Sequence, residues 1–360
     1  MSEAVLLVGG LGTRLRPLTA TTPKPMLPTA GVPFLTHVLA RAREAGVDHV
    51  VLATSYRSEV FADHFGDGSR LGLAIDYVTE TEPLGTGGGI RNVAGLLSSG
   101  LDDPVVILNG DVLSGHDIAA QVAAHLAAGA DVTLHLTEVA DPRAFGCCPT
   151  DGSGRITDFL EKSPNPVTNQ VNAGCYVFRR RVIDAIPAGR PVSVERETFP
   201  DLLRDGAFLL GHLDPAYWLD LGTPEAFIRG SCDLVLGRLR SPALPGESGE
   251  SLVLPGAVVD ATAVVDGGTT VGARSVVAAG AEVHGCVLMD GALVGAGSVL
   301  RDSVLGLGAE VGAGCSLSST LIGDHAVVAA GNELVAGARV WNDARIPEGA
   351  IRFSPDRPPA

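Results

Sequence analysis

Aliphatic residues recur at fixed intervals in the last third of the chain, and this repeat constrains the fold more than any other feature. A six-residue spacing separates Val259, Val265, Val271, Val277 and Val283. The phase then slips by one residue and settles into a 17-residue period. This period gives three rows: Leu288, Leu305 and Ile322; Val294, Val311 and Val328; and Leu300, Leu317 and Leu334. Three stacked rows predict a triangular prism with one short strand per face, in which each coil buries its aliphatic edge against its neighbours.

Small residues crowd the positions between these aliphatic side chains. Gly and Ala permit the tight corners that a triangular coil needs. The pattern resembles the hexapeptide repeats of left-handed parallel β-helices, and the resemblance implies that fold for residues 251–346. Residues 233–250 are rich in Pro, Gly and Ser and are typical of a linker. Residues 347–360 follow as a tail.

The first 232 residues show a different pattern, in which short apolar runs alternate with amphipathic segments. Residues 4–8 predict a buried strand, residues 33–45 a helix that begins at Pro33, and residues 49–53 the next strand. Further strand candidates lie at 74–78, 105–108, 131–136, 174–178 and 208–213. This alternation predicts a Rossmann-like, mostly parallel α/β sheet in a domain spanning residues 1–232. Ligands of such sheets bind at the carboxyl ends of the strands, so we expect the functional residues in the loops after 4–8 and 105–108.

Charge and cysteine content exclude several classes of protein. The formal net charge of −15 argues against nucleic-acid and anionic-membrane partners, because both require a basic surface. The six cysteines show neither CxxC pairs nor metal-like spacing with histidine, so we expect reduced, buried thiols in a cytoplasmic protein. The short apolar start runs directly into a glycine loop, unlike a secretory leader, and no apolar run is long enough to span a bilayer.

A glycine-rich loop follows the first predicted strand, within the segment GGLGTRLRPLTATTPKPMLP. Its backbone amides can approach phosphate oxygens closely. The dinucleotide fingerprint GxGxxG fails because its third glycine would fall at Leu15, and the P-loop pattern fails because no GK[ST] ends the loop. The candidate phosphate-binding residues are Gly9, Gly10, Gly12 and Thr13. Arg14 and Lys24 add the cations that a polyphosphate requires against an acidic background.

Asp111 follows the predicted strand at 105–108, in the segment VVILNGD. A carboxylate at the end of a strand, beside a tight turn, is a good ligand for a hard metal ion. From the residues alone, an Asx turn is the favoured explanation of this segment.

The glycine-loop segment closely resembles the signature of nucleoside-diphosphate-sugar pyrophosphorylases, and the resemblance covers the whole chain because many guanylyltransferases of this type carry a C-terminal β-helix. It implies that the glycine loop binds the nucleotide, that Arg14 stabilises the departing pyrophosphate and that Lys24 contacts phosphate. It also implies that Asp111 and Asp220, the latter in WLDLGTP, bind Mg²⁺.

The resemblance further implies a base-recognition loop in EPLGTGGG, where Leu84, Gly85 and Thr86 would lie against the base. From the residues alone, this segment is equally consistent with a plain turn.

Other segments resemble the family's sugar site. Glu161 would bind the sugar hydroxyls and Lys162 the sugar phosphate, although the family's EKP motif here ends in Ser163. On residue type alone, Glu161 and Lys162 are a solvated pair. The remaining sugar-site candidates are Gly146, Asn172, Gly174 and Glu195.

The implied reaction joins a sugar 1-phosphate to a nucleotide and releases pyrophosphate. The attacking phosphate is mostly ionised at neutral pH, which accounts for the lack of a Ser/His or Cys/His arrangement. Similarity favours GTP and mannose 1-phosphate, with a glucose-1-phosphate thymidylyl- or uridylyltransferase as the alternative. A hexapeptide acyltransferase that uses His284 or His325, or a non-catalytic regulatory homologue, would be a different class. We also expect the flat β-helix to support homo-oligomers.

Overall fold

The computed structural model describes residues 2–54, 58–335 and 337–352. The chain divides into two compact units, one formed by Met1–Gly10 and Val38–Trp218 and the other by Leu11–His37 and Leu219–Ala360. From Leu11 onward, the glycine-rich signature segment therefore belongs to the unit that contains the repeat, whereas Gly9 and Gly10 belong to the first unit. The predicted domain limits stay a prediction, and the tail from residue 353 onward lies outside the described residues.

Seven α-helices and thirty short or medium strands span the described residues. The helices are α1 Phe34–Glu44, α2 Ser58–Phe65, α3 Gly85–Asn92, α4 Ile118–Ala128, α5 Arg180–Ala185, α6 Phe199–Arg204 and α7 Pro224–Val235. The strands before the repeat are β1 Ser2–Leu7, β2 Pro28–Thr29, β3 Val32–Pro33, β4 Val47–Thr54, β5 Ala74–Thr79, β6 Pro104–Asn109, β7 Val112–Ser114, β8 Val132–Glu138, β9 Gly146–Cys147, β10 Leu160–Glu161, β11 Gln170–Arg179, β12 Leu209–Leu213 and β13 Trp218–Asp220.

The first unit is built on a nine-stranded sheet with β1 near its centre. The main path runs β10-β9-β11-β6-β1-β4-β5, while β8 pairs with both β11 and β12. Strands β4, β1 and β6 are parallel, which confirms the predicted Rossmann-like arrangement. Strand β11 is antiparallel to β6 and β8, because the connection from β8 contains the β9–β10 hairpin instead of a crossover helix.

Burial explains why the apolar runs form the central strands. Ala4, Val5 and Leu6 are fully buried, as expected for a strand covered on both faces. The predicted helix at 33–45 is confirmed, except that it begins at Phe34. Pro33 instead pairs with Pro28 in the small β2–β3 hairpin, so it precedes the helix.

The repeat forms three parallel sheets, as its period predicts. Their strands are β14 Ser251–Val253, β15 Val258–Val259, β16 Val264–Asp266, β17 Thr269–Val271, β18 Val276–Val277, β19 Glu282–His284, β20 Val287–Leu288, β21 Leu293–Val294, β22 Val299–Arg301, β23 Val304–Leu305, β24 Glu310–Val311, β25 Ser316–Ser318, β26 Leu321–Ile322, β27 Val327–Val328, β28 Glu333–Leu334, β29 Arg339–Val340 and β30 Arg345–Ile346. Every third strand joins the same sheet. Leu288 aligns with Leu305, Val294 with Val311, and Leu300 with Leu317. The three predicted rows therefore form the buried interior of a parallel β-helix.

All six cysteines are buried and none forms a disulfide. Burial raises the pKa of Cys175 and of Cys232 to about 12, which keeps these thiols protonated. Within the part of the chain that the structure describes, the helices are too short or too polar to span a bilayer.

Candidate active site

A tight turn at Gly12 shapes the loop that follows β1. Its backbone is left-handed, with φ 56°. A Cβ atom at Gly12 would lie 3.0 Å from Thr19 Cγ2 and 3.1 Å from Lys24 Cβ. The Thr19 hydroxyl donates a hydrogen bond of 2.8 Å to the Gly12 carbonyl oxygen. Both the backbone conformation and the close approach therefore require glycine at this position.

Two cations and a carboxylate converge in the second unit. Lys24 Nζ lies 4.0 Å from Asp220 Oδ1, and the Lys24 side chain is only 13% exposed. A Cβ atom at Gly222 would lie 3.0 Å from Asp220 Oδ1 and 3.3 Å from Arg14 Nη1. The structure thus brings together three residues that the sequence selects from segments some 200 positions apart. Gly222 lies against both Asp220 and Arg14, and the sequence patterns did not select it. Its position two residues after Asp220 is the signal that could have identified it.

The glycines that lead into this loop are open to solvent. Gly9, Gly10 and Thr13 are all exposed. Gly10 has φ 109°, and no atom lies within 4 Å of the position that its Cβ would occupy. The loop therefore leaves space beside its backbone, as phosphate binding through amides requires.

The turn after β6 is held against the end of β1. The Gly110 amide donates to the Leu7 carbonyl oxygen at 2.9 Å, and a Cβ at Gly110 would lie 2.7 Å from Val8 Cγ1. This close approach sets the position of Asp111. Among the described residues, the buried Asn109 Oδ1 has no hydrogen-bond partner. An unsatisfied buried oxygen of this kind is costly unless a ligand completes it.

The EPLGTGGG segment differs from the predicted loop or turn. Gly85 to Gly89 lie in helix α3, although glycine disfavours helices. Its first turn packs on the backbone of Val192, whose carbonyl oxygen accepts hydrogen bonds from the Gly87 and Gly88 amides at 2.9 and 3.2 Å. A Cβ at Gly85 would lie 2.6 Å from the same oxygen. Glycine is present because the two backbones meet here, and no side chain fits between them.

Thr86 and Glu195 contact each other. The Thr86 hydroxyl donates to Glu195 Oε2 at 2.8 Å, and the Ser193 hydroxyl donates to the same oxygen at 2.8 Å. The Thr86 oxygen also accepts the Val194 amide at 2.9 Å. The predicted base-contacting and sugar-contacting residues are therefore joined in one hydrogen-bond network, with Leu84 and Gly85 beside Thr86 in sequence.

Gly146 and Glu161 face each other across the β9–β10 hairpin. A Cβ at Gly146 would lie 3.0 Å from Glu161 Oε2 and 2.7 Å from Phe159 Cζ. Lys162 Nζ lies 3.5 Å from Glu161 Oε1, and its side chain is 61% exposed. The hairpin thus presents one partly buried carboxylate and one open cation.

Asn172 is held by internal hydrogen bonds. Its Nδ2 donates to the Tyr176 hydroxyl at 2.9 Å, and its Oδ1 accepts the Gly174 amide at 3.0 Å. Burial raises the pKa of Tyr176 well above its usual value, so its hydroxyl stays protonated. Gly174 has φ 79°, and a Cβ there would lie 2.8 Å from Asn109 Nδ2. The NAG motif is therefore packed directly against the turn that leads to Asp111.

One further cluster combines metal-binding types of side chain. In the described ranges, His116, His212 and Asp214 are the only three such groups whose ligand atoms lie within 4.8 Å of one another. His116 Nδ1 is 2.8 Å from Asp214 Oδ2, and its Nε2 is 2.8 Å from Gln121 Oε1. These contacts explain the cluster as a polar network inside the first unit, separate in sequence from the predicted metal ligands.

Comparison with protein families agrees with this arrangement. The family model described as nucleotidyl transferase matches residues 3–235. The chain belongs to the nucleotidyl transferase family. A second model, described as the GMPPB C-terminal domain, matches residues 248–350, which include the β-helix.

Relatives with a curated description match between 72% and 98% of this chain. The chain is 60% identical over 355 residues to a mannose-1-phosphate guanylyltransferase of Mycobacterium tuberculosis, covering 98% of each chain. It is 37% identical over 265 residues to the catalytic subunit beta of the mannose-1-phosphate guanylyltransferase of Drosophila melanogaster, covering 72% of this chain and 71% of that one. Among solved structures, HddC from Yersinia pseudotuberculosis is similar with 27% identity and a TM-score of 0.56, covering 64% of this chain and 98% of HddC. HddC has also been crystallised with GMP-PN.

Proposed function

We propose that the chain transfers a guanylyl group from GTP to mannose 1-phosphate, giving GDP-mannose and pyrophosphate. The observation that carries this proposal is the convergence of Arg14, Lys24 and Asp220 beside the Gly12 turn. The choice of guanine and mannose rests on the Mycobacterium tuberculosis relative, because no contact in the structure distinguishes the bases.

The chemistry is an in-line displacement at the α-phosphorus. An oxygen of the sugar phosphate forms the new P–O bond, and the bond to the bridging oxygen of the leaving pyrophosphate breaks. Arg14 and Lys24 neutralise charge that accumulates on the pyrophosphate, and Lys162 holds the attacking phosphate. The ionised phosphate is itself the nucleophile, so the reaction needs no protein base.

Substrate contacts follow the residues that the family resemblance selects. Gly9, Gly10, Gly12 and Thr13 would bind the triphosphate through backbone amides, and Leu84, Gly85 and Thr86 would lie against the base. Glu161 would bind sugar hydroxyls, with Gly146 leaving room for them. Asn172, Gly174 and Glu195 would complete the sugar site.

The family implies a divalent metal ion, and the residues fit one. Asp111 and Asp220 would supply carboxylate oxygens, and the buried Asn109 Oδ1 would be a further oxygen close in sequence to Asp111. An all-oxygen donor set suits Mg²⁺, which we propose as the metal. When bound, it supplies positive charge to the reacting phosphates.

The decisive experiment is a matrix of four nucleoside triphosphates against glucose, mannose and N-acetylglucosamine 1-phosphates, scored by pyrophosphate release. We expect the highest rate with GTP and mannose 1-phosphate. A higher rate with TTP or UTP and glucose 1-phosphate would favour the alternative nucleotidyltransferase. Binding without pyrophosphate release in any combination would contradict the enzyme, and turnover of acetyl-CoA, measured in parallel, would indicate acyl transfer.

The metal assignment has its own test. Treatment with EDTA should abolish pyrophosphate release, and added Mg²⁺ should restore it. Asp111→Asn should keep the fold but lose activity at every Mg²⁺ concentration. Full activity of that variant with Mg²⁺ would remove Asp111 from the metal site. Self-association through the β-helix stays a prediction, which light scattering of the purified chain can test.

A further inference from the structure

The signature loop, defined as residues 11–27, packs against the β-helix within the second unit. Leucines of the loop share an apolar cluster with helix α7 and with three successive coils of the repeat. The members of this cluster are Leu15, Leu18 and Leu27 from the loop, Phe227, Ile228 and Cys232 from α7, and Val287, Met289, Val304 and Leu321 from the β-helix. The β-helix therefore supports the segment that carries Arg14 and Lys24.

Two hydrogen bonds tie the loop backbone and a loop hydroxyl to one face of the β-helix. The Thr21 hydroxyl donates to Asp324 Oδ2 at 2.6 Å, although these residues lie 303 positions apart. Arg339 Nη1 donates to the Arg16 carbonyl oxygen at 2.8 Å. Asp324 directly follows the region of β26, and Arg339 lies in β29, which pairs with β26. The two bonds thus come from β29 and from the turn that follows its neighbour β26.

Contacts within the β-helix fix the position of Asp324 independently of the loop. Its Oδ1 accepts the Leu307 amide of the preceding coil at 3.0 Å, and its own amide donates to Asn342 Oδ1 at 3.1 Å. The second carboxylate oxygen is left to receive the Thr21 hydroxyl. A group fixed in this way can position another residue without rearranging itself.

The packing of the loop against the β-helix leaves a gap on one side. A cavity of about 300 Å³ lies between the loop residues Leu18, Thr22 and Met26 and the β-helix residues Met289 and Leu307, among others. Side chains over a cavity have room to shift, because close packing is what holds interior groups in place. The hydrogen bonds to Thr21 and Arg16 add fixed points for the loop backbone beside this cavity.

Both attachment points lie inside the segment bounded by the two predicted phosphate-binding cations. Arg16 is two residues after Arg14, and Thr21 is three residues before Lys24. We propose that Asp324 and Arg339 are positioning residues for the nucleotide, which hold the backbone between Arg14 and Lys24 in the geometry that the triphosphate requires. This inference rests on the proposed function, since it assigns the β-helix a part in substrate binding.

The test compares matched pairs of β-helix variants. Asp290 Oδ1 accepts the Ala273 amide at 2.9 Å, as Asp324 accepts the Leu307 amide, but the described contacts of Asp290 include no hydrogen bond to the signature loop. Asp324→Ala and Asp290→Ala therefore lose the same kind of coil contact, and only the first also loses Thr21. Arg339→Met is matched with Arg345→Met, an exposed arginine on another sheet of the β-helix.

We expect Asp324→Ala and Arg339→Met each to raise KM for GTP about 3- to 10-fold, the range that corresponds to one hydrogen bond. KM for mannose 1-phosphate should stay within about twofold, because the described side-chain hydrogen bonds of both residues are to the signature loop and the β-helix. Thr21→Val removes the same hydrogen bond from the loop side and should raise KM for GTP as Asp324→Ala does. Thr21→Ser keeps the hydroxyl and should therefore keep the KM of the unmodified chain. The matched controls should keep the KM values of the unmodified chain.

Hydrogen–deuterium exchange separates this proposal from the proposed function. In Asp324→Ala and Arg339→Met, peptides covering residues 11–27 should exchange faster than in Asp290→Ala and Arg345→Met, whether or not GTP is the substrate. If the unmodified chain releases no pyrophosphate yet the loop exchanges faster in these variants, the proposed function fails and the bracing of the loop stands. Equal loop exchange and equal GTP KM in the variants and their controls would overturn the positioning role.

Discussion

The chain contains only two lysines among its 26 basic residues, and their surroundings differ sharply. Lys24 is 13% exposed, lies 4.0 Å from Asp220 and approaches the Gly12 turn. Lys162 is 61% exposed and contacts Glu161 at the open end of the β9–β10 strand pair. A side chain confined by packing has one position, whereas an exposed lysine on a flexible stem has many. The proposed nucleotide contact is thus in place before substrate arrives, while the proposed sugar-phosphate contact is open.

The difference fits the chemistry that we propose. Stabilising a leaving pyrophosphate depends on charges that are already in place when the bond breaks. Capturing a small sugar phosphate from solution depends on access. An arginine would be less suited to the Lys24 position, because its planar fork needs more room than the point charge of an ammonium group.

The largest expected effect is that of Lys24→Met. Removing the confined charge should lower kcat with GTP by about 10²- to 10³-fold, the range seen when one preorganised charge-stabilising group is lost. Steady-state pyrophosphate release measures it, and thermal unfolding checks that the fold is intact. A loss confined to KM would mean that Lys24 binds the ground state and does not act on the departing pyrophosphate.

A second prediction separates the two lysines by charge-conserving exchange. Lys24→Arg should lose about 10-fold or more in kcat, because the guanidinium does not fit the confined position. Lys162→Arg should change KM for mannose 1-phosphate by less than about threefold, since that side chain has room to adjust. Lys162→Met is the control that removes the charge, and it should raise the same KM by about 10-fold. Equal sensitivity of both positions to arginine would end the distinction between a confined and an open cation.

The sequence predicts most of the fold and the residue types of the site. The rows that contain Leu288, Val294 and Leu300 can be predicted from the sequence, because a coil that repeats every 17 residues must place equivalent residues in register. Likewise, the central strands follow from fully apolar runs. Helix α3 was not predictable, because its glycines oppose helix formation, and Gly85, Gly87 and Gly88 are explained by contact with the 190–192 segment, more than 100 positions away. The bond between Thr21 and Asp324 escapes prediction for the same reason, since no local pattern records a contact across 303 positions.

A third prediction applies one small change to the open side. Gly146→Ala places a methyl group 2.7 Å from Phe159 Cζ and 3.0 Å from Glu161 Oε2, and the buried ring has little freedom to move. The hairpin should shift, raising KM for mannose 1-phosphate about 5- to 10-fold with little change in KM for GTP. Gly152→Ala is the control, because no atom lies within 4 Å of its Cβ position. If both variants behave alike, the Gly146 hairpin does not shape the sugar site.

The smallest effect on catalysis is expected from Glu3→Gln. This variant tests whether a loss of stability alone, away from both lysines, changes the KM for either substrate. Glu3 is buried at the far end of β1 from the glycine loop. Burial alone would raise the pKa of Glu3, but hydrogen bonds from the Ser98 amide, His49 and Ser99 outweigh it and lower the pKa to about 2, against an ordinary value of 4.5. A carboxylate with a lowered pKa in the folded state stabilises that state above pH 4.5, and the stabilisation is lost as the pH falls towards 2.

Urea unfolding of the Glu3→Gln variant and of the unmodified chain should therefore differ most near neutral pH, by on the order of 3 kcal/mol, and should converge as the pH approaches 2. Both KM values should remain unchanged at neutral pH wherever the variant is folded, because Glu3 contacts residues at the start of the sheet and none of the proposed substrate ligands. A difference in unfolding free energy that stayed constant with pH would mean that the ionised carboxylate is not its source. A selective rise in one KM would mean that a change at Glu3 is transmitted along β1 to a substrate site. The difference between the two lysines would then depend on the stability of the sheet as well as on the exposure of each side chain.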